Sequence, residues 1–243
     1  MAISKMKIAF EKIINNKELV TSLINAFLIV GNDDNITEDD IEFMEKYYEN
    51  DEESIESRFL DEKHKKIYVL SFEKENENFD KKGFMRYSEW KGYKAVYEQG
   101  YEKDFHYSKL KRPISIVILD GSYGGCNDEL CLTLQGTDVS DKDNPQVTTL
   151  SKELFPEYFI MQIKNFKPEE YLDEDKDKML YLWKYFFATI KGDPNNEDIP
   201  KVLTENPIIR KALILCKDDL YDEPKKKKRK TKPKTKKNII NIK

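Results

Sequence analysis

Lys66-Ile67-Tyr68-Val69-Leu70-Ser71-Phe72-Glu73 is the stretch whose reading decides the fold. Ile67, Val69 and Ser71 alternate with Tyr68, Leu70 and Phe72, the period of two expected when successive side chains point to opposite faces of a strand. Residues 58–60 and a polar turn at 61–65 precede it, so the segment reads as a β-hairpin with the second strand carrying the stronger signal. Downstream, Phe84, Tyr87, Trp90, Tyr93 and Val96 with Tyr97 recur every three to four residues, which predicts a long helix whose aromatic stripe packs into a core. After Pro113, residues 114–119 form an apolar, β-branched run suited to a strand buried on both faces. The glycine-rich segment 120–125 breaks it.

Further elements lie on either side of this centre. Met6, Ala9, Phe10, Ile13 and Ile14 predict an amphipathic helix over 6–14, and a second helix over 17–30 ends at Gly31. Residues 37–48 suit a helix opened by Thr37 and Asp40 or an extended chain, and periodicity does not choose between them. Residues 130–135 and 158–163 offer two more strands. Met179, Leu180, Leu182, Trp183, Phe186 and Phe187 mark a large helix stopped by Gly192 and Pro194, and Pro207 opens a short one over 208–216. Helices, then strands, then mixed elements, with no internal repeat, predict an α/β chain.

The 243 residues can bury one sizeable core, so a single globular domain over 1–222 and a tail over 223–243 are expected. No run of 18 apolar residues could span a bilayer, and the first residues lack a secretory pattern, so the expected setting is intracellular with no membrane partner. Cys126, Cys131 and Cys216 are odd in number and without a repeated C-x-x-C, as befits unpaired thiols in a reducing compartment.

The net charge of −4 hides a partition. Residues 225–243 hold 11 Lys plus Arg and no acid, which leaves 31 basic residues against all 46 acids in the remainder. The body therefore carries −15, and an acidic body repels a phosphate backbone. Pro224 followed by Lys225, Lys226, Lys227, Lys228, Arg229 and Lys230 has the form of a short nuclear-import signal for an acidic receptor groove, carried on an arm too charged to fold alone. Nuclear localisation is the expectation, with the cytoplasm as the alternative. Lysine greatly outnumbers arginine, so bidentate reading of bases is sparse.

Taken in order, several segments between residues 5 and 217 resemble the recombination-promoting nuclease/putative transposase family of the PD-(D/E)XK nuclease superfamily. They are Ala9-Phe10-Glu-Lys-Ile13, then Ser22-Leu-Ile-Asn-Ala-Phe-Leu28, and the hairpin ending Val69-Leu-Ser-Phe-Glu73. Tyr107-Ser-Lys-Leu-Lys-Arg-Pro-Ile-Ser-Ile-Val-Ile-Leu-Asp120, the strand at 158–166 and the helix at 179–186 follow. The resemblance implies a PD-(D/E)XK, restriction-endonuclease-like mixed sheet flanked by helices. It also implies Mg²⁺-assisted DNA cleavage by carboxylates from a bent hairpin, with a Lys or Gln two residues after the second one.

Matched to that pattern, Ser71 stands at the second metal carboxylate, Glu73 at the Gln or Lys, and Ser57 near the first carboxylate, while Lys7 falls near an N-terminal acidic position. A hydroxyl is a poor Mg²⁺ ligand. The resemblance with these departures thus implies a degenerate nuclease with no cofactor, and the basic arm adds the expectation that it is nuclear and associated with nucleic acid or with a protein partner. A shifted register, with Glu73 and Glu75 as the same-face pair and Asp61 or Glu56 as the third acid, would instead give an active Mg²⁺-dependent endonuclease of transposon type. A scaffold unrelated to nucleic acid is the third reading. Of the two histidines, His64 is expected to be solvated in the hairpin turn and His106 partly packed. Cys126, Cys131 and Cys216 lack the spacing of a metal site, and the 121–125 loop lacks that of a phosphate cradle.

Overall fold

The computed structural model describes residues 4–31, 33–48, 54–74, 91–100, 106–121, 132–134, 137–138, 146–147, 156–164, 166–171, 178–192 and 199–221. Two helices open the chain, α1 (Lys5–Ile14) and α2 (Lys17–Gly31), as their periodicity predicts. Strands β1 (Glu42–Tyr48), β2 (Ile55–Asp61) and β3 (Lys66–Lys74) follow as an antiparallel meander. Helix α3 covers residues 91–99; the earlier part of the predicted aromatic helix lies outside the described residues. Strands β4 (Arg112–Asp120), β5 (Leu132–Leu134), β6 (Thr137–Asp138), β7 (Gln146–Val147) and β8 (Glu157–Gln162) come next, then α4 (Met179–Lys191), α5 (Lys201–Glu205) and α6 (Pro207–Tyr221).

Six strands form one mixed sheet in the order β1-β2-β3-β4-β8-β5, while β6 and β7 pair separately. Strands β4 and β8 run parallel to β3, and β5 runs antiparallel to β8. The chain is thus mixed α/β. Among the described residues no single helix is long and apolar enough to cross a membrane.

The alternation along β3 divides the molecule into two layers. Tyr68, Leu70 and Phe72, with Ile114, Ile116 and Ile118 of β4 and Phe159 and Met161 of β8, join the main core with α1, α2, α4 and α6. The rings of Phe10 and Phe72 lie 6.1 Å apart and those of Phe27 and Phe159 5.7 Å apart, so α1 and α2 both pack directly on this face. Ile67 and Val69 point the other way, onto Ala95 of α3. Because helices cover both faces, β4 needs no solvated side, which is why residues 114–119 are apolar apart from the buried Ser115.

Residues 37–48, open to two readings in sequence, divide between them. The Asp40 carboxylate accepts hydrogen bonds at 2.8 Å from both the amide and the hydroxyl of Thr37, closing a short turn at Glu38–Asp40. Those bonds and Lys63 hold the Asp40 carboxyl well below the usual range. The chain then extends as β1, stacking Phe43 on Phe59 of β2 at 5.7 Å. Strand β2 begins at Ile55, three residues before the expected start, and α6 runs past residue 216 to Tyr221. The turn Asn206–Pro207 is held by the Asn206 side chain, which accepts from the amides of Ile208 and Ile209.

Gly92 lets α3 approach the sheet. A Cβ there would sit 2.5 Å from the Tyr158 hydroxyl oxygen and 2.9 Å from its ring, too close for either to remain in place. Gly92→Ala is expected to destabilise the protein by about 1–3 kcal/mol, as overpacking does, read as a lowered urea midpoint.

Candidate functional site

The site follows from the register of one hairpin. Ile55 pairs with Phe72, Glu56 with Ser71, Ser57 with Leu70 and Arg58 with Val69. Directly opposed residues share a face, so Glu56 and Arg58 of β2 and Ser71 and Glu73 of β3 all project toward α3. There Lys91, in the first turn of the described helix, meets them. All five are buried, Lys91 to 1% exposure and Glu73 to 6%.

Their contacts form a continuous charged network. The Lys91 ammonium donates to Glu73 Oε1 and lies 3.7 Å from Glu56 Oε2. Arg58 Nε donates to Glu56 Oε1 at 3.0 Å, and Arg58 Nη1 donates to Glu45 Oε1 at 3.0 Å and to Glu98 of α3. The ring of interactions therefore ties β1, β2, β3 and α3 together. Ser71 sits amid these charges with its hydroxyl fully buried and, among the described residues, no hydrogen-bond partner. Two anionic side chains thus share one cation across a neutral residue, an arrangement that holds carboxylates close without a metal.

Placed on this framework, the sequence-derived positions separate. Ser71 and Glu73 share the α3 face, whereas Ser57 lies opposite Leu70 on the main-core face, its own hydroxyl also buried and without a hydrogen-bond partner among the described residues. The carboxylate facing Ser71 is Glu56. Counting back along the chain gave Ser57 because it cannot fix which residue of β2 faces which of β3; a one-residue slip turns a side chain through the sheet. Lys7 belongs to α1, which packs on the face opposite this network.

The shifted set with Asp61 does not assemble. Asp61 pairs with Lys66, seven residues before Glu73 on β3, so the two acids are separated by about 20 Å along the strand. Asp61 is engaged where it stands, accepting from the His64 amide at 2.9 Å, from His64 Nδ1 at 2.8 Å and from the Tyr68 hydroxyl at 3.2 Å. Burial, with this carboxylate beside it, drives the Tyr68 phenol far above its ordinary range. His64, expected to be solvated, is partly buried by the same bonds, and His106, expected to be partly packed, is exposed. Glu75, Cys126, Cys131 and the arm residues Lys225, Lys226, Lys227, Lys228, Arg229 and Lys230 lie outside the described residues. Cys216 is buried on α6. Among the described residues no group of three or more His, Cys, Asp or Glu side chains is arranged to hold a metal ion.

The sequence reading did not single out Lys91, Arg58 or Glu98. A signal for them existed. Glu56 and Arg58 stand two apart on a strand, and Lys91, Ala95 and Glu98 fall on one helical stripe; the larger aromatic stripe beside them, Tyr93 and Tyr97, is instead largely exposed.

A second buried charged set lies at the opposite end of β4. Arg112 Nη2 donates to Glu157 Oε2 at 2.6 Å, and Arg112 and Lys66 both reach Asp33, just past the end of α2. It fastens the segment after that helix to β3, β4 and β8.

Lys91→Met would leave Glu56 and Glu73 buried without their shared cation, and a loss of about 3–5 kcal/mol in denaturant unfolding is expected. The double variant Lys91→Met with Glu73→Gln should recover part of that loss. Comparison with family models, with curated proteins and with solved structures finds no match to this chain.

Proposed function

We propose that the chain is a nuclease-like protein of the recombination-promoting nuclease type whose hairpin no longer holds a metal, and that it acts in the nucleus through association with DNA or a protein partner. The ordered segments of the sequence support the family reading, and a mixed sheet flanked by helices with an antiparallel hairpin entering a parallel sheet is compatible with a PD-(D/E)XK-like fold. The observation that carries the loss of activity is Lys91. Its ammonium lies between Glu56 and Glu73, beside the uncharged Ser71.

The chemistry explains why this matters. A divalent ion in such a hairpin would polarise a phosphate and acidify a bound water. An ammonium neutralises the same carboxylates but is no Lewis acid, so it does not acidify a bound water. What remains is an internally neutralised hairpin inside the sheet, in a chain that also carries a cationic arm. Lys225 to Lys230 can engage phosphates by counterion release, or the acidic groove of an import receptor.

One observation favours a second reading: Glu56 and Glu73 share a face, as the carboxylates of an active Mg²⁺-dependent endonuclease would. Plasmid nicking separates the two. With the purified full chain and Mg²⁺ we expect no cleavage of supercoiled DNA; cleavage that disappears in both Glu73→Ala and Glu56→Gln would establish the active enzyme instead.

The arm is tested independently. Residues 224–243 fused to a neutral reporter should carry it into the nucleus, and replacing Lys226, Lys227 and Arg229 by Ala should leave it in the cytoplasm. A reporter that stays cytoplasmic with the intact arm removes the nuclear part of the proposal. Salt-insensitive behaviour of the full chain toward DNA, with no binding at low salt, would turn the reading toward a scaffold without nucleic acid.

A further inference from the structure

The cationic arm carries a second chemical feature besides its charge. Residues 225–237 hold ten Lys or Arg, Pro233 and two threonines, Thr231 and Thr235, which are the only hydroxyl side chains between residues 222 and 243. Each of the six residues before Thr231, from Lys225 to Lys230, is a cation. Arg229, Lys230, Lys232 and Lys234 stand among the six before Thr235. A hydroxyl is an acceptor for phosphoryl transfer, and a phosphate at either position would change the property on which the arm depends.

Hydroxyls of the described body stand in different surroundings. Thr21, Thr37 and Thr204 each donate within their own turn, to the Lys17 carbonyl at 2.7 Å, the Asp40 carboxylate at 2.8 Å and the Lys201 carbonyl at 2.8 Å. Ser57, Ser71 and Ser115 are fully buried. Ser108 is exposed, but its nearest cations, Lys109, Lys111 and Arg112, follow it in the chain.

Charge then selects between the two sets. Residues 1–224 carry 31 cations against 46 acids, so a peptide groove lined by carboxylates is repelled by most of the chain and attracted by residues 225–237. Helix α6 ends at Tyr221, ten residues before Thr231. Thr231 directly follows the cations of 225–230, so a groove that grips those cations has the hydroxyl next in line.

We propose, on the reading that the arm engages DNA phosphates, that Thr231 and Thr235 are phosphorylated by a Ser/Thr kinase with an acidic peptide groove, and that this releases the arm from DNA. The threonine Oγ attacks the γ-phosphorus of ATP. The Oγ–P bond forms as the bond from that phosphorus to the departing ADP oxygen breaks, and the hydroxyl proton passes to a carboxylate base of the kinase. Each phosphate brings a charge of about −1.5 to −2, so two of them cancel about three to four of the ten positive charges in 225–237. An arm of lower net charge displaces fewer counterions from DNA, and its phosphates face a backbone of the same sign.

Treating the purified full-length chain with Mg²⁺, ATP and the catalytic subunit of cyclic-AMP-dependent kinase tests the positions and the effect together. Tandem mass spectrometry should place one phosphoryl group on each of Thr231 and Thr235, and none on the arm of the Thr231→Ala/Thr235→Ala variant. In fluorescence anisotropy with a labelled duplex, the slope of log K against log salt should shrink by about 3 on phosphorylation. The double alanine variant, treated alike, should keep the slope of the untreated chain. No incorporation, phosphate confined to body residues such as Ser108, or an unchanged slope in the doubly phosphorylated chain overturns the regulation and leaves DNA binding by the arm standing. An untreated chain that does not bind the duplex at low salt overturns instead the reading on which the regulation rests, and the regulation with it.

Discussion

The antiparallel pairing of β2 with β3 decides which charged side chains of the hairpin meet Lys91 and α3. Because Glu56 faces Ser71 and Arg58 faces Val69, one side of the hairpin presents two acids, an arginine and a buried hydroxyl, while the other presents Ser57, Leu70 and Phe72 to the main core. Moving either strand by one residue would exchange these sets. A buried ion-pair network would then face the rings of α1, and Leu70 and Phe72 would meet Lys91. The desolvation of unpaired charges makes such a slip costly, so the network contributes to specifying the register even where its net stability is small.

Helix α3 is held by the same constraint. Lys91 and Glu98 bring opposite charges to Glu73 and Arg58, Ala95 fills the small space over Ile67 and Val69, and Gly92 admits the Tyr158 ring. Among the described residues, Ala95 meets Ile67 and Val69 on this face, and the Lys91 and Glu98 ion pairs stand beside that apolar contact. A comparable solution appears on α4, where buried Lys184 donates to the Tyr171 hydroxyl at 3.2 Å and lies 5.5 Å from the Phe166 ring centre. Burial among these rings pushes the Tyr181 phenol up to about 12.

Lys91 is the cation that Glu56 and Glu73 share, so these two buried carboxylates are neutralised within the hairpin. The strong positive charge of the chain is placed at residues 225–243, away from the hairpin in sequence. On the function proposed above, the neutralised hairpin and the cationic arm would serve different roles.

The local patterns that needed no partner could be read from the chain. The 3.6-residue spacing around Phe10, Leu23 and Trp183, the alternation at 66–73 and the β-branched run at 114–119 each reflect burial on defined faces, and burial leaves a period behind. Charge segregation into an acidic body and a basic arm was equally plain. What tertiary structure alone decided was which residues meet. Residues 37–48 suited helix or strand until Phe43 found Phe59, and Glu56 rather than Ser57 became the neighbour of Ser71 through a register that counting across a turn cannot supply. Lys91 acquired its role only when α3 docked. Periodicity is a property of one segment, whereas pairing and ion contacts depend on the distance between segments, and that distance is set by the fold.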